Sequence, residues 1–194
     1  MPRMKGQPGN RAEAPGRLAL VQSFVNSVNV EFGPDEFATA EGFRRWLARN
    51  ELVSRSVEPE ELDRTDAIAL REAMRALLRE NNDAPADPRA RRTVRHIARN
   101  CPMVVRFAGE TGDPELGPAQ PDVRGALGTV LAHMMGAVHD GSWQRLKACQ
   151  EHRCAWAFYD RSRNRASRWC SMSVCGARAK MRVYRQARRA EAGS

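Results

Sequence analysis

Four of the five cysteines in this 194-residue chain fall between Cys149 and Cys175. They form two C-x(4)-C pairs, Cys149-Gln-Glu-His-Arg-Cys154 and Cys170-Ser-Met-Ser-Val-Cys175, with fifteen residues between them. Two thiolate pairs at that distance suit one tetrahedral Zn²⁺, each pair forming a short knuckle that points two sulfurs at the metal. Two disulfides are the competing reading, and ordinary buried thiols a third. Met1–Gly16 is polar and carries no apolar core of the kind a secretory leader needs. Outside an oxidising compartment a dense cysteine cluster points to metal rather than to disulfides. The expected ligands are Cys149, Cys154, Cys170 and Cys175 around one structural zinc. His152, inside the first pair, is expected at the surface or in a supporting contact.

The second chemical feature is charge. The net charge is +9, and from Trp143 onward thirteen Lys/Arg face only Glu151, Asp160 and Glu191. The whole excess therefore sits in the cysteine-bearing end, while the longer N-terminal part is close to neutral. A neutral domain joined to a small basic one is the footprint of a nucleic-acid binder with a separate regulatory or assembly domain. At 100° per residue, Arg178, Arg182, Arg185 and Arg189 fall in one stripe of a helix over 178–189, with Lys180 nearby. Ala179, Val183, Tyr184 and Ala187 take the other side and are expected to pack on the finger. Arginines in line suit phosphates and guanine edges, though a solvated basic face would look the same. Arg163, Arg165 and Arg168 add to the basic set from the turn between the knuckles. Asp160, the lone acid there, is expected to cap the turn or pair with Arg163 or Arg165.

These residues also carry a resemblance. Arg145-Leu-Lys-Ala-Cys149, Cys154-Ala-Trp-Ala-Phe-Tyr-Asp160, Ser162-Arg-Asn164, Arg168-Trp-Cys170-Ser-Met and Cys175-Gly-Ala-Arg-Ala-Lys180 together resemble the CGNR zinc-finger family. The signature itself reads Cys175-Gly176-Ala177-Arg178, with Ala177 where the family has Asn. Further upstream, Leu18-Ala-Leu-Val-Gln-Ser-Phe-Val-Asn26-Ser27-Val28 and Phe43-Arg-Arg-Trp46-Leu47 are similar to the opening of the ABATE domain, with Ser27 in place of the usual Thr. That domain precedes a CGNR finger in bacterial proteins described as candidate stress-induced transcription regulators. The resemblance implies a zinc-dependent DNA-binding transcription regulator whose N-terminal domain senses a ligand or assembles dimers. An RNA- or protein-docking zinc module with a small-molecule-binding helical domain is the alternative.

The elements that must position these groups are mainly helical. Leu20, Phe24 and Val28, with Val21 and Val25, give one apolar helical face near the start. Thr39 is placed to cap a helix over 40–50 that carries Phe43, Trp46 and Leu47. Glu58–Asn82 reads as a long helix, Asp87-Pro88 as the N-cap and first residue of another reaching about Asn100, and Asp122–Asp140 as the clearest helix of all. Met103–Phe107 is β-rich, but Pro114, Pro118 and Pro121 disfavour a regular partner strand. Between the knuckles, Trp156 and Phe158 suggest a strand returning at Arg168-Trp169-Cys170, with the two aromatics forming a tiny core that metal must help hold together.

The expected fold class is mainly α with a small β element: a flexible arm over 1–16, a helical domain over 17–140, and a zinc-stabilised β-hairpin with a basic helix over 141–190. His96, His133 and His139 form no metal motif, and Ser23 and Ser27 lie in no nucleophile motif, so no catalysis is expected. Cys101 is expected to be a buried inert thiol. Asn26, on an apolar helix face, must find partners if buried. It either ties its helix to neighbouring backbone or, with Trp46, lines a ligand pocket. DNA is the expected partner, with a small-molecule effector and a homodimer as further expectations. No segment is apolar for the roughly 18 residues a membrane span requires, and the expected location is cytoplasmic, at the nucleoid.

Overall fold

The computed structural model describes residues 12–107 and 112–192. Its elements in order are α1 (Leu18–Val25), α2 (Ala40–Arg49), α3 (Glu61–Glu80), α4 (Pro88–Ala98), β1 (Met103–Phe107), β2 (Pro114–Pro118), α5 (Val123–His139), β3 (Leu146–Ala148), β4 (Ala157–Tyr159) and α6 (Ala177–Ala192). A 3₁₀ turn over Trp143–Arg145 precedes β3, and a π-helical turn over Met172–Gly176 leads into α6. The fold is mainly helical with two small antiparallel strand pairs, β1–β2 and β3–β4. No helix among the described residues is long and apolar enough to cross a membrane.

Local signals set the helix starts. Thr39 Oγ1 accepts from the Gly42 amide at 3.1 Å, Asp87 caps α4 ahead of Pro88, and Asp122 accepts from the Gly125 amide at 2.8 Å. Each satisfies a donor that the first turn of a helix leaves unpaired. At α3, Glu60 and Asp63 form a reciprocal capping box. The β1–β2 hairpin forms in full register despite its prolines, because Pro114 and Pro118 occupy the two ends of β2. Its root lies against α5 where that helix is bare: a Cβ on Gly128 would sit 2.8 Å from Met103 Sδ, and one on Gly125 would sit 2.0 Å from the Gln120 carbonyl oxygen.

The core is built on α1. Phe24 meets Phe37 and Trp46 at ring-centroid distances of 5.7 and 5.5 Å, and Phe37 meets Phe43 and Trp46 at 4.8 and 5.4 Å. Such tilted and edge contacts place ring edges on ring faces, the arrangement aromatic quadrupoles favour. Leu70, Met74 and Leu78 of α3 and Leu127 and Val130 of α5 close around this cluster. The same core continues past residue 140 without a break and takes in Trp143, Leu146, Ala148 and Ala157. Cys101 is buried in it, and burial pushes its thiol up to about 11, so it stays protonated.

Buried polar side chains of the helical region reach across to the backbone of the C-terminal segment. Asn26 donates from Nδ2 to the Ala157 carbonyl at 2.9 Å and accepts from the Ala157 amide at 2.8 Å. Gln22 donates to the same carbonyl at 3.1 Å. Arg75, 3% exposed, donates to the carbonyls of Val25 and Ala155 at 2.6 and 2.8 Å. Asn81 holds the carbonyls of Trp143 and Leu146, and Asn82 those of Ala148 and Arg168. Short, isolated β3–β4 could not leave its outer backbone groups unpaired in an apolar surround, and these side chains supply the missing partners.

Residues 1–11 of the expected arm lie outside the described residues. Its last part is packed rather than free: Ala14 is buried and its amide donates to Gln22 Oε1 at 2.7 Å, while the Glu13 carbonyl accepts from Arg161 at 2.9 Å. Gln22, buried by the core, needs that donor.

Asn26→Ala leaves the buried Ala157 amide unpaired and its carbonyl held by Gln22 alone, and is expected to cost about 1 to 3 kcal/mol. Urea unfolding followed by tryptophan fluorescence should show the midpoint falling, with one transition for both halves of the chain.

Candidate metal centre and basic groove

The four cysteines come together from two chain segments. Cys149 directly follows β3 and Cys154 closes a tight turn, while Cys170 precedes the π-helical turn before α6 and Cys175 lies within it. Their sulfurs all lie within 4.8 Å of one another, with Cys154–Cys170 at 3.4 Å and Cys170–Cys175 at 3.6 Å. Disulfide sulfurs would sit about 2 Å apart, and no pair does. Zn–S bonds of about 2.3 Å in a tetrahedron put sulfurs about 3.8 Å apart, a separation within the range found here. Backbone amides are aimed at the sulfurs, those of Cys170 (3.5 Å) and Glu151 at Cys149 and that of Trp156 at Cys154.

The electrostatics make the same demand. Hydrogen bonds from the Cys149 and Cys170 thiols draw Cys154 down to about 2. The reverse side of that sharing pushes Cys149 up to about 12 and raises Cys170, and burial followed by the Cys154 charge raises Cys175. One thiolate is welcome in this space and further ones are opposed. A dication bound by all four sulfurs removes that opposition, so the donor set fits one structural Zn²⁺. His152 stands outside the set, exposed, with Nδ1 2.9 Å from Glu151 Oε1. Trp156 and Phe158 pack beside the cysteines with Trp169 and Val174 as the finger's own small core.

The expected hairpin between the knuckles is corrected. β4 does pass through Phe158, but its partner is β3, upstream of the first knuckle, with Leu146 opposite Tyr159 and Ala148 opposite Ala157. Arg168-Trp169-Cys170 makes no strand. Residues 160–168 instead form a loop tied down from below. Asp160, 1% exposed, takes Lys147 Nζ at 2.9 Å, Ser162 by amide and hydroxyl, and the Ser167 amide at 3.0 Å. Lys147 also donates to the carbonyls of Arg165 and Ser167. Burial alone would raise the Asp160 carboxyl, but the bonds from Ser162 and Lys147 carry it well below the usual carboxylate range. Its partner is thus Lys147 rather than Arg163 or Arg165, because only Lys147 reaches it inside. The loop's backbone is fixed, and the side chains of Arg163, Arg165 and Arg168 stand exposed on it.

Helix α6 is also turned differently from the expectation. Val183 and Tyr184 are 64% and 54% exposed, and of that side only Ala179 is buried. The arginine stripe faces inward, along a groove of about 820 Å³ lined by Glu31, Glu151, His152 and Arg153 on one side and Arg178, Arg182, Arg185 and Arg189 on the other. The cause is Glu151. Its carboxylate, 2% exposed within the first knuckle, requires a cation, and Arg182 supplies one at 3.0 Å. Glu31, from the loop after α1, pairs with Arg178 at 2.5 Å. Among the described residues no acid lies within ion-pair distance of Arg153, Arg185 or Arg189. Lys180 is exposed, and Ala177 stands exposed at the start of α6 with no side-chain hydrogen-bonding group.

Of the two readings of Asn26, the structure shows the tie to neighbouring backbone. Both functions of the Asn26 amide are taken by Ala157, and Trp46 is fully buried between Phe24 and Phe37. The inward acids Glu31 and Glu151 were the functional residues that the charge pattern left unassigned. Only the placement of Glu151 between two zinc-binding cysteines hinted at its burial.

Elemental analysis of the purified chain is expected to give one zinc per molecule. Cys170→Ser should lose it. Chelation should lower the unfolding temperature, since metal binding here is folding free energy; an unchanged thermal midpoint after stripping would count against a structural role.

Two family models match the chain. One, described as the CGNR zinc finger, covers residues 145–189, and the other, ABATE, described as "Putative stress-induced transcription regulator", covers residues 18–140. No curated protein matches. The two matches span both the helical core and the cysteine centre and meet where α5 ends. With more than half its length inside the ABATE model, the chain belongs to the ABATE family and carries a CGNR zinc finger at its C-terminal end.

Proposed function

We propose that this protein is a zinc-dependent, DNA-binding transcription regulator of the nucleoid, in which the helical region senses a ligand or mediates assembly and performs no catalysis. The observation that carries this reading is the groove, where five guanidiniums converge against two carboxylates. Arg178 and Arg182 are already neutralised within the molecule, which leaves Arg153, Arg185 and Arg189 without an acidic partner among the described residues. Like charges held on one helix face repel, and a phosphate backbone is the polyanion that relieves them. Lys180 and the loop arginines Arg163, Arg165 and Arg168 extend the positive surface beyond the groove.

Zinc has an indirect role in this reading. It fixes the two knuckles, the first of which presents Glu151, and Glu151 in turn sets the angle of α6 through Arg182. The Lys147–Asp160 pair does the same for the arginine loop. Both contact surfaces are then rigid before DNA arrives, which lowers the entropy lost on binding.

Selection of genomic fragments at about 0.15 M salt, where distant surface attraction is screened, should enrich one sequence motif. Arg185→Ala with Arg189→Ala should weaken binding to all duplexes and reduce the slope of log K against log salt by about 1.8, at about 0.9 per phosphate contact. Binding indifferent to salt, or no enriched motif, would refute the proposal, the second outcome pointing to RNA or protein docking. Glu31→Gln removes the competitor of phosphate at Arg178 and should tighten DNA binding in the same assay.

A further inference from the structure

A second cavity, of about 310 Å³, opens between α1, the C-terminal end of α2 and α5. Its walls include Ala19, Leu20 and Leu52 on the apolar side and Ser23, Thr129 and His133 on the polar side, with Glu13 at the edge. Two polar atoms from two different helices lack partners there. Ser23, 3% exposed, has no partner for its hydroxyl, and His133 has none for Nδ1. Both belong to residues that line this one cavity. Buried polar groups are almost always paired, so two orphans beside one cavity ask for a missing partner.

The chemistry of that partner follows from the two atoms. The Arg17 backbone acts on the His133 imidazole in the direction that favours its protonated form. Burial nevertheless holds the ring below its usual range, which keeps it neutral near pH 7. In a neutral ring one nitrogen carries the proton and the other accepts, and Nδ1, which has no partner, is assigned as the acceptor. Ser23 offers an O–H that nothing accepts. A single hydroxyl group can accept from the Ser23 hydroxyl and donate to His133 Nδ1. One water could do so too, but the volume is about ten times the roughly 30 Å³ share of a water molecule. The remaining lining includes Ala19, Leu20 and Leu52, which suit an apolar body, beside the polar Glu13, Asn50 and Thr129.

We propose that this cavity is an effector site for a small neutral hydroxyl compound with an apolar body, of the phenol class, whose oxygen bridges Ser23 and His133 Nδ1. The inference rests on the ligand-sensing part of the proposed function. Its position gives it a route to the finger. Ser23 sits on α1 between Gln22 and Asn26, the two residues that hold the Ala157 carbonyl. At the cavity edge the Glu13 carbonyl accepts from Arg161, at the start of the arginine loop. A ligand that shifts α1 moves both contacts.

The test uses the zinc-loaded full chain with uniform ¹⁵N labelling, which reports both the histidine rings and the backbone amides, titrated with phenol in the absence of DNA. The expected result is a saturable shift of the His133 Nδ1 resonance, accompanied by a shift of the Ala157 amide. Ser23→Ala removes one donor without adding bulk and should weaken phenol about tenfold, and His133→Leu should abolish the Ala157 response. Zinc content and the circular dichroism spectrum check that both variants fold, and the wild-type titration stands whether or not they do. A shift that does not saturate, or one of equal affinity in Ser23→Ala, would overturn the proposal and leave the cavity filled by water. Because no DNA is present, failure here is separate from failure of the DNA-binding reading.

Discussion

Everything at the C-terminal end depends on one constraint: the β3–β4 pair is too short to satisfy its own backbone. A three-residue ladder inside an apolar core leaves amides and carbonyls facing side chains rather than water. Asn26 answers at Ala157 as a neighbouring strand would, with one donor and one acceptor. Gln22, Arg75, Asn81 and Asn82 answer at the carbonyls on either side. Each is costly to bury alone and stabilising once paired. The zinc finger is therefore a continuation of the helical core and not an appendage on a linker. Changes in α1 or α3 must reach the finger backbone directly.

A second constraint, the crowding of four sulfurs, acts within that frame. It makes the cation a requirement of the fold and fixes the knuckle that carries Glu151. Burial of Glu151 then dictates which face of α6 turns inward. The consequence runs against simple amphipathic reasoning: the helix lines an open groove with its arginines, which stay largely exposed, and leaves Val183 and Tyr184 exposed as well. A buried carboxylate without a cation costs several kcal/mol, whereas two partly exposed apolar side chains cost far less. The stronger effect decides the orientation. Glu31 adds a contact from the helical region to the same stripe, so the basic surface is partly answered from within the molecule.

The sequence by itself determined a good deal. The four zinc ligands were legible because thiols in regular pairs have few other uses, and the helices because apolar spacing and caps such as Thr39, Asp87 and Asp122 act locally. The basic character of the C-terminal end is plain from composition, and the residues of both family signatures lie in the chain in order. What only the tertiary structure decided were the partners of groups far apart in the chain: β3 rather than Arg168–Cys170 for β4, Lys147 for Asp160, Ala157 for Asn26, and Glu31 and Glu151 for the arginine stripe. Caps and periodicities are set by neighbours within a few residues. Burial of a lone polar group is set by whatever the rest of the chain brings within hydrogen-bonding distance, and no local pattern records that.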